Sequence, residues 1–427
     1  MNAVLFLSLK ITPAFLAVFL SFAHIAAAGG MEDAGIEKAL EGLPGDVRKS
    51  VRLVPNSPAL SSLSGEDPLS AALHLASRIT GDSDVWNRQM YQCGKQALLQ
   101  GRLETARQVA AKLTDYRAPL LLLDIAEKEN TAQPAKSLKW LQTAAGMTRM
   151  LKTWQADIVL ARLVYVGTLL KHDMQITTRW WQSIKDQETK LSASAGLLVL
   201  ESAQTGVFDF PKLKAEYVKY GVAKPIPELL DTSRRLFDQA LDRLTSTDPQ
   251  QHKLAAGLVD SACAVLAISN VVHAELLMET SIRFFKAGHE DVSKQLFELA
   301  EKNFGAPHEE EMRLIYKLVE LWTLRGKAET VQPALAGAET NMRKLEPMYL
   351  PFGLAWYAAS WHMLGEPEKS SSLLTEAVTE AAKNPNPRMG YVGASEVCLC
   401  CAKTGMPLTK SMLDIIISMS ASQGNEE

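Results

Sequence analysis

Residues 276–300 read LLMETSIRFFKAGHEDVSKQLFELA. Apolar side chains recur at helical spacing on both sides of Gly288, so the stretch reads as two amphipathic helices around a tight glycine turn. Further turn glycines follow at 326, 365 and 405, which stand 38, 39 and 40 residues apart. Periods of about 34–47 residues mark arrays of helical repeats. The pattern therefore predicts an all-α protein, an α-solenoid of stacked antiparallel helical hairpins with a period of about 38–40 residues.

Working outward, residues 69–419 are nearly all helix-like. Ala, Leu, Lys, Glu and Gln dominate, and alternating β-branched runs are almost absent. Earlier turn markers fall at Gly101, Asn130 to Pro134, Lys171-His172-Asp173, Gly206 and Thr247-Asp248-Pro249. The stretch GVAKPIP at 221–227 holds two prolines, which divides the array into an N-terminal half, 68–220, and a C-terminal half, 228–424. Residues 29–67 are rich in Gly, Pro and Ser and read as a flexible lead-in.

The chain begins differently. Lys10 precedes ITPAFLAVFLSFAHIAAA, and the small-residue string Ala26-Ala27-Ala28 closes that apolar run. A positive residue, an apolar core and an A-x-A site predict a secretory signal over 1–28, hence a periplasmic or secreted protein. Retention as a membrane anchor is the alternative, since residues 4–9 extend the apolar run. Net charge is −3 and no dense Lys/Arg cluster occurs, so nothing in the composition points to nucleic acid. Five cysteines in 427 residues are too few, and odd in number, for a disulfide framework.

Around the turn glycines the sequence resembles the tetratricopeptide-repeat superfamily. The small positions seven before and five after the turn are Gly94 and Ala106, Ser281 and Ser293, and Ala358 and Ser370. Phe284, Phe297 and Ala300, and likewise Trp361, Leu374 and Ala377, match its aromatic and alanine positions. Around Gly326, Val319 and Val331 replace the small pair while Trp322 and Ala338 remain. The resemblance covers about a third of the chain, and its period is longer than the family's. It implies a right-handed superhelix that holds a protein or peptide ligand, without cofactor or metal, on the face built from the first helices.

Three clusters invite chemistry. Cys398 and Cys401 have C-x-x-C spacing, but they lie late in a helix, away from the N-terminal dipole that activates thiols; Cys398 also occupies a small-residue position. They read as core, with a disulfide or metal site as the alternative. His289-Glu290 and His308-Glu309-Glu310-Glu311 lack the second histidine of a zinc-protease helix, because positions 293 and 312 are Ser and Met. Trp180-Trp181, near Lys185, Asp186 and Glu188, could stack a sugar beside carboxylates, and packing is the plainer reading.

No catalytic motif stands out. The expected function is a non-enzymatic, exported scaffold binding protein or peptide. Its first-helix positions are Arg88, Tyr91 and Lys95, Met278 and Phe285, Arg313, Tyr316 and Glu320, and His362. The alternatives are a carbohydrate-active enzyme built as an α/α toroid and a structural part of an envelope assembly.

Overall fold

Glycine at position 288 adopts φ +85°, the left-handed conformation that closes a helix without steric cost. His289 N–H donates to Phe284 O and Gly288 N–H to Phe285 O, both at 2.9 Å, satisfying carbonyls that the ending helix leaves open. The same pair of bonds recurs at Gly101, Gly326 and Gly365, and at Lys171 with φ +53°. Each marker read from the sequence separates two helices.

The computed structural model describes residues 67–221, 229–269, 274–301 and 309–421. Residues 1–28, expected to be a signal segment, the expected lead-in up to residue 66, most of GVAKPIP and His308 lie outside them. The described residues form α-helices and two short 3-10 turns, with no strand. The helices are α1 (Pro68–Ser77), α2 (Ser83–Leu99), α3 (Leu103–Lys112), α4 (Arg117–Glu129), α5 (Pro134–Met147), α6 (Thr153–Leu169) and α7 (Met174–Ser183). Then come α8 (Gln187–Thr205), α9 (Phe210–Tyr220), α10 (Leu229–Leu244), α11 (Pro249–Ser269), α12 (Ala274–Lys286) and α13 (Glu290–Glu301). The series ends with α14 (Glu309–Leu324), α15 (Gln332–Met342), α16 (Leu350–Met363), α17 (Pro367–Ala382), α18 (Pro387–Thr404) and α19 (Lys410–Ala421). No described helix is long and apolar enough to cross a membrane.

Small residues set the helix contacts. A Cβ on Gly94 would lie 2.5 Å from Leu121 Cδ2 and 3.0 Å from Val109 Cγ1, so α2 touches α3 and α4 at van der Waals distance there. Ser281 Oγ donates to Ser293 O at 2.6 Å, joining α12 to α13 through the two small positions read from the sequence. Ala358, Ser370 and Cys398 are likewise buried. Close approach at such positions lets the flanking Leu, Phe and Trp side chains interdigitate.

Within the compact unit Pro58–Glu427, each even-numbered helix from α2 to α18 packs on the next even-numbered one, and α18 packs back on α2. From α3 to α17, each odd-numbered helix packs on the even helix before it. The last even helix, α18, takes α1 as its partner, while α19 packs on α17. The ends of the array therefore meet, whereas an open superhelix keeps them apart. Polar contacts fix that seam: Gln89 Nε2 donates to Ser395 Oγ at 3.1 Å, Ser395 Oγ to Ala72 O at 3.0 Å, and Gln96 Nε2 to Ala402 O at 3.1 Å. One apolar cluster joins both ends of the unit, and a second runs from Leu191 to Leu321.

Candidate functional site

Along α4, Asp124 and Glu127 are three residues apart and so share a helix face. Three cations from three other even-numbered helices converge on them. Lys95 Nζ on α2 reaches Asp124 Oδ2 at 2.8 Å. Arg162 Nη2 on α6 donates to Asp124 Oδ1 at 2.8 Å and also to Glu127 Oε2. Arg235 Nη1 on α10 donates to Glu127 Oε1 at 2.5 Å and to Tyr165 Oη at 2.8 Å, while its Nε reaches Asp231 Oδ2 at 3.0 Å. Tyr165 lies near both guanidinium groups, with its ring centre 5.4 Å from Arg162 and 4.0 Å from Arg235. Gly196 on α8 makes room for that ring, since a Cβ there would come within 3.2 Å of Tyr165 Cδ2.

The cluster holds three cations and three carboxylates. Burial pushes the Asp124 carboxyl upward, but Arg162 and Lys95 outweigh it and hold the group below its ordinary range. Glu127 follows the same balance, with Arg162 and Arg235 as its cations. Burial and the neighbouring Asp124 charge raise the Tyr91 hydroxyl, so that phenol stays protonated. General acid chemistry needs a carboxyl raised toward neutrality; Asp124 and Glu127 are moved the opposite way. What the arrangement offers is a fixed, charge-balanced polar surface.

A cavity of about 200 Å³ opens beside it, lined by α6, α8 and α10 through Arg162, Tyr165, Ser192, Gly196, Asp231 and Arg235 among others. A larger, open notch of about 500 Å³ is lined by Gln239, Arg243 and Gln251. There Arg243 Nη2 donates to Ala203 O at 3.1 Å, which gives that arginine a helix-capping role at the end of α8.

Of the residues expected to form a ligand face, Tyr91 and Lys95 join the α4 cluster. Arg88 is exposed on α2, and His362 is exposed near the end of α16. Glu320 forms a separate group with Lys286 at 2.8 Å and Lys317 at 3.3 Å. Arg313 pairs with Glu275 at 3.6 Å and lies 5.5 Å from the centre of the Phe352 ring. Phe285 is half-buried, 5.7 Å from the Arg325 guanidinium.

Two expected surface positions are corrected. Met278 is fully buried, because its neighbours Leu276 and Leu277 are buried too and α12 is enclosed by α10, α13 and α14. Tyr316 is 6% exposed and packs on Trp356 of the next even helix, with ring centres 5.3 Å apart.

The remaining candidates have structural roles. Trp180 stacks on His172 at 5.6 Å, and Trp181 Nε1 donates to Ser194 Oγ at 3.3 Å. Asp186 caps α8 by accepting from Thr189 N–H at 2.7 Å. His289 meets Phe284 edge-on at the start of α13. All five cysteines are free thiols, and Cys398, Cys400 and Cys401 are buried in the core with their pKa values raised by burial. Among the described residues no group of His, Cys, Asp and Glu could hold a metal ion.

Sequence reading missed Asp124, Glu127, Arg162, Tyr165, Asp231 and Arg235. The only local signal was same-face charge: Asp124 with Glu127, and Asp231 with Arg235 one turn apart.

No family model matches the chain, and no curated protein does. A solved structure described as "Circular tandem repeat protein with novel repeat topology and enhanced subunit contact surfaces" aligns over 96% of this chain and 98% of its own. Its identity is 12% and its TM-score 0.21, a likeness too distant to carry an argument. The described residues make an all-helical protein with the layout of a helical-repeat array.

Proposed function

We propose that this chain is an exported, non-enzymatic helical-repeat protein that holds a protein or peptide partner against its even-numbered helices. The observation that carries the reading is the Lys95–Asp124–Arg162–Glu127–Arg235 chain of ion pairs, which spans four even-numbered helices. It is polar and charge-balanced, and its two central carboxylates are held ionised. Such a surface suits recognition better than proton transfer. In the same reading the array is tetratricopeptide-like and right-handed, as the small-residue positions suggest, and residues 1–28 are a signal segment removed after Ala28. No cofactor enters.

Photo-crosslinking tests this. A p-benzoylphenylalanine at Arg88, on the same face of α2 as Tyr91 and Lys95, should give a discrete protein adduct in the source cells. The same group at Lys139, exposed on α5, should give none. Adducts from neither position, or equally from both, would sink the assignment of the face. N-terminal sequencing of the protein from those cells tests export, since a mature chain starting at Gly29 is expected.

A second reading has its own support. Because α18 packs on α2, the array has the closure of an α/α toroid, an architecture compatible with carbohydrate chemistry. Glu188→Gln should then abolish hydrolysis of some glycan. No hydrolysis by the parent protein across a broad polysaccharide panel would remove this alternative.

A further inference from the structure

The first described helix meets the last at a buried histidine. His74 on α1 is 6% exposed, and its Nε2 lies 3.3 Å from Oγ of Ser420 on α19, 346 residues away. Ser420 Oγ already donates to Ile416 O at 3.0 Å. The hydroxyl therefore accepts from His74, which requires a neutral ring with its proton on Nε2. Nδ1 is left as a bare acceptor, buried and without a hydrogen-bond partner. The same turn of α19 is held from α18, where Tyr391 Oη donates to Met419 O at 2.8 Å.

A proton on Nδ1 would create a buried N–H with no acceptor. It would also place a cation on a helix whose Ala71, Ala72, Leu75 and Ala76 are all buried. The charges nearby do not relieve it. Among the described charges, the one that acts on the ring is another cation, Arg78, at the end of α1. Asp67, at the other end of α1, is paired with Arg102 at 2.6 Å. On α2, Asp82 pairs with Arg388 of α18 at 3.4 Å and Asp84 with Arg117 at 2.8 Å. Glu396 on α18 acts on Cys93 and Cys400 rather than on this ring. The charged residues of α19, Lys410 and Asp414, are exposed and more than a turn from Ser420. Burial, followed by Arg78, accordingly holds the His74 ring below its ordinary range.

We infer that the contact between His74 and Ser420 is an acid-operated latch, which mild acidity opens by charging the ring and freeing the last turns of α19 from α1. A ring freed into water takes up its proton near pH 6.5, whereas the latched ring resists it. The closed form is therefore favoured above that pH and loses ground as pH falls through it. Met412 and Ile416 on α19 are fully buried in the closed form, so opening uncovers apolar surface. The latch is independent of the scaffold reading above.

Hydrogen exchange of the full chain at pH 7.5 and 5.5, read by mass spectrometry and corrected for the intrinsic exchange rate, tests this. Protection at the end of α19 should fall by up to about tenfold at pH 5.5, the factor set by an ordinary imidazole taking up its proton. His74→Gln keeps an N–H donor for Ser420 but cannot charge, and its α19 should be equally protected at both pH values. Unchanged protection in the parent, or the same loss in the variant, would overturn the latch. Nitrogen-15 NMR of the parent is the check that holds if the variant fails to fold. The His74 ring should be neutral and protonated on Nε2 at pH 7.5; a proton on Nδ1 at that pH would overturn the inference.

Discussion

Arg235 on α10 donates to Glu127 on α4 at 2.5 Å, although 108 residues and the even-numbered helices α6 and α8 separate the two in the chain. The bond spans a curve of four neighbouring helices, so the curvature of this part of the array is recorded in one ion pair. Glu127→Leu leaves Arg162 and Arg235 without their shared acceptor. A loss of about 2–3 kcal/mol is expected, reduced from the fully buried case because the Glu127 side chain keeps 26% exposure. A double-mutant cycle with Arg235→Met, read by urea denaturation, should return a coupling of about 1–3 kcal/mol. Additive losses would mean that the pair does not couple the helices.

Acid should weaken the same cluster. Asp124 and Glu127 are held below their ordinary values of 3.8 and 4.5. Their contribution is therefore complete above those values and is lost as pH falls through and below them, from about pH 5 downward. Arg162→Met removes the main cation from both, so the variant should melt lower than the parent at pH 7 and the gap should narrow toward pH 3. Thermal melts across that range decide; a gap independent of pH would show that the carboxylates are not the linked groups.

Thiol reactivity offers a third check. Cys93, Cys398, Cys400 and Cys401 are buried, and burial raises each thiol, Cys401 up to about 12. Cys263 is half-buried and is pushed up to about 11 by burial and by Asp260. Because thiolate is the reactive form, an aromatic disulfide reagent at pH 8 should titrate at most Cys263, and slowly, in the folded chain. All five should react in urea. Rapid reaction of more than one thiol in the native protein would contradict the packing of α2 against α18.

Two glycines should fail for different reasons. Gly94→Ala places a methyl 2.5 Å from Leu121 Cδ2 and should cost about 1–3 kcal/mol through overpacking. Gly206 has φ +76°, and its added Cβ would lie 2.7 Å from Leu254 Cδ1. Gly206→Ala should therefore combine about 1–2 kcal/mol of backbone strain with a contact on α11. Leu254→Ala in the second background should recover only the contact part. Full recovery would mean that the left-handed backbone adds nothing.

The helix boundaries were legible in the sequence because their cause is local. A residue with positive φ is usually glycine, and Gly101, Gly206, Gly288, Gly326, Gly365 and Gly405 all end helices. The small-residue positions were legible for a related reason, since Ser281 and Ser293 can lie 12 residues apart and still touch in only one way. The candidate site had no such signal. Glu127 and Arg235 look like ordinary solvated charges, and their partnership exists only after four helices are curved into place. Met278 was misjudged because counting along one helix does not reveal that three others enclose it. The partnership of α1 with α18 was also hidden, because nothing in either segment names the other.

That partnership limits how this chain can change length. A linear array can gain or lose a hairpin at its end and keep every other contact. Here the contact between α18 and α2 fixes the circumference, so deleting a pair such as α12 and α13 would tear the seam or force each remaining helix to tilt. The polypeptide could instead be cut at any turn and rejoined near α1 and α19 as a circular permutant without changing the number of units around the circuit.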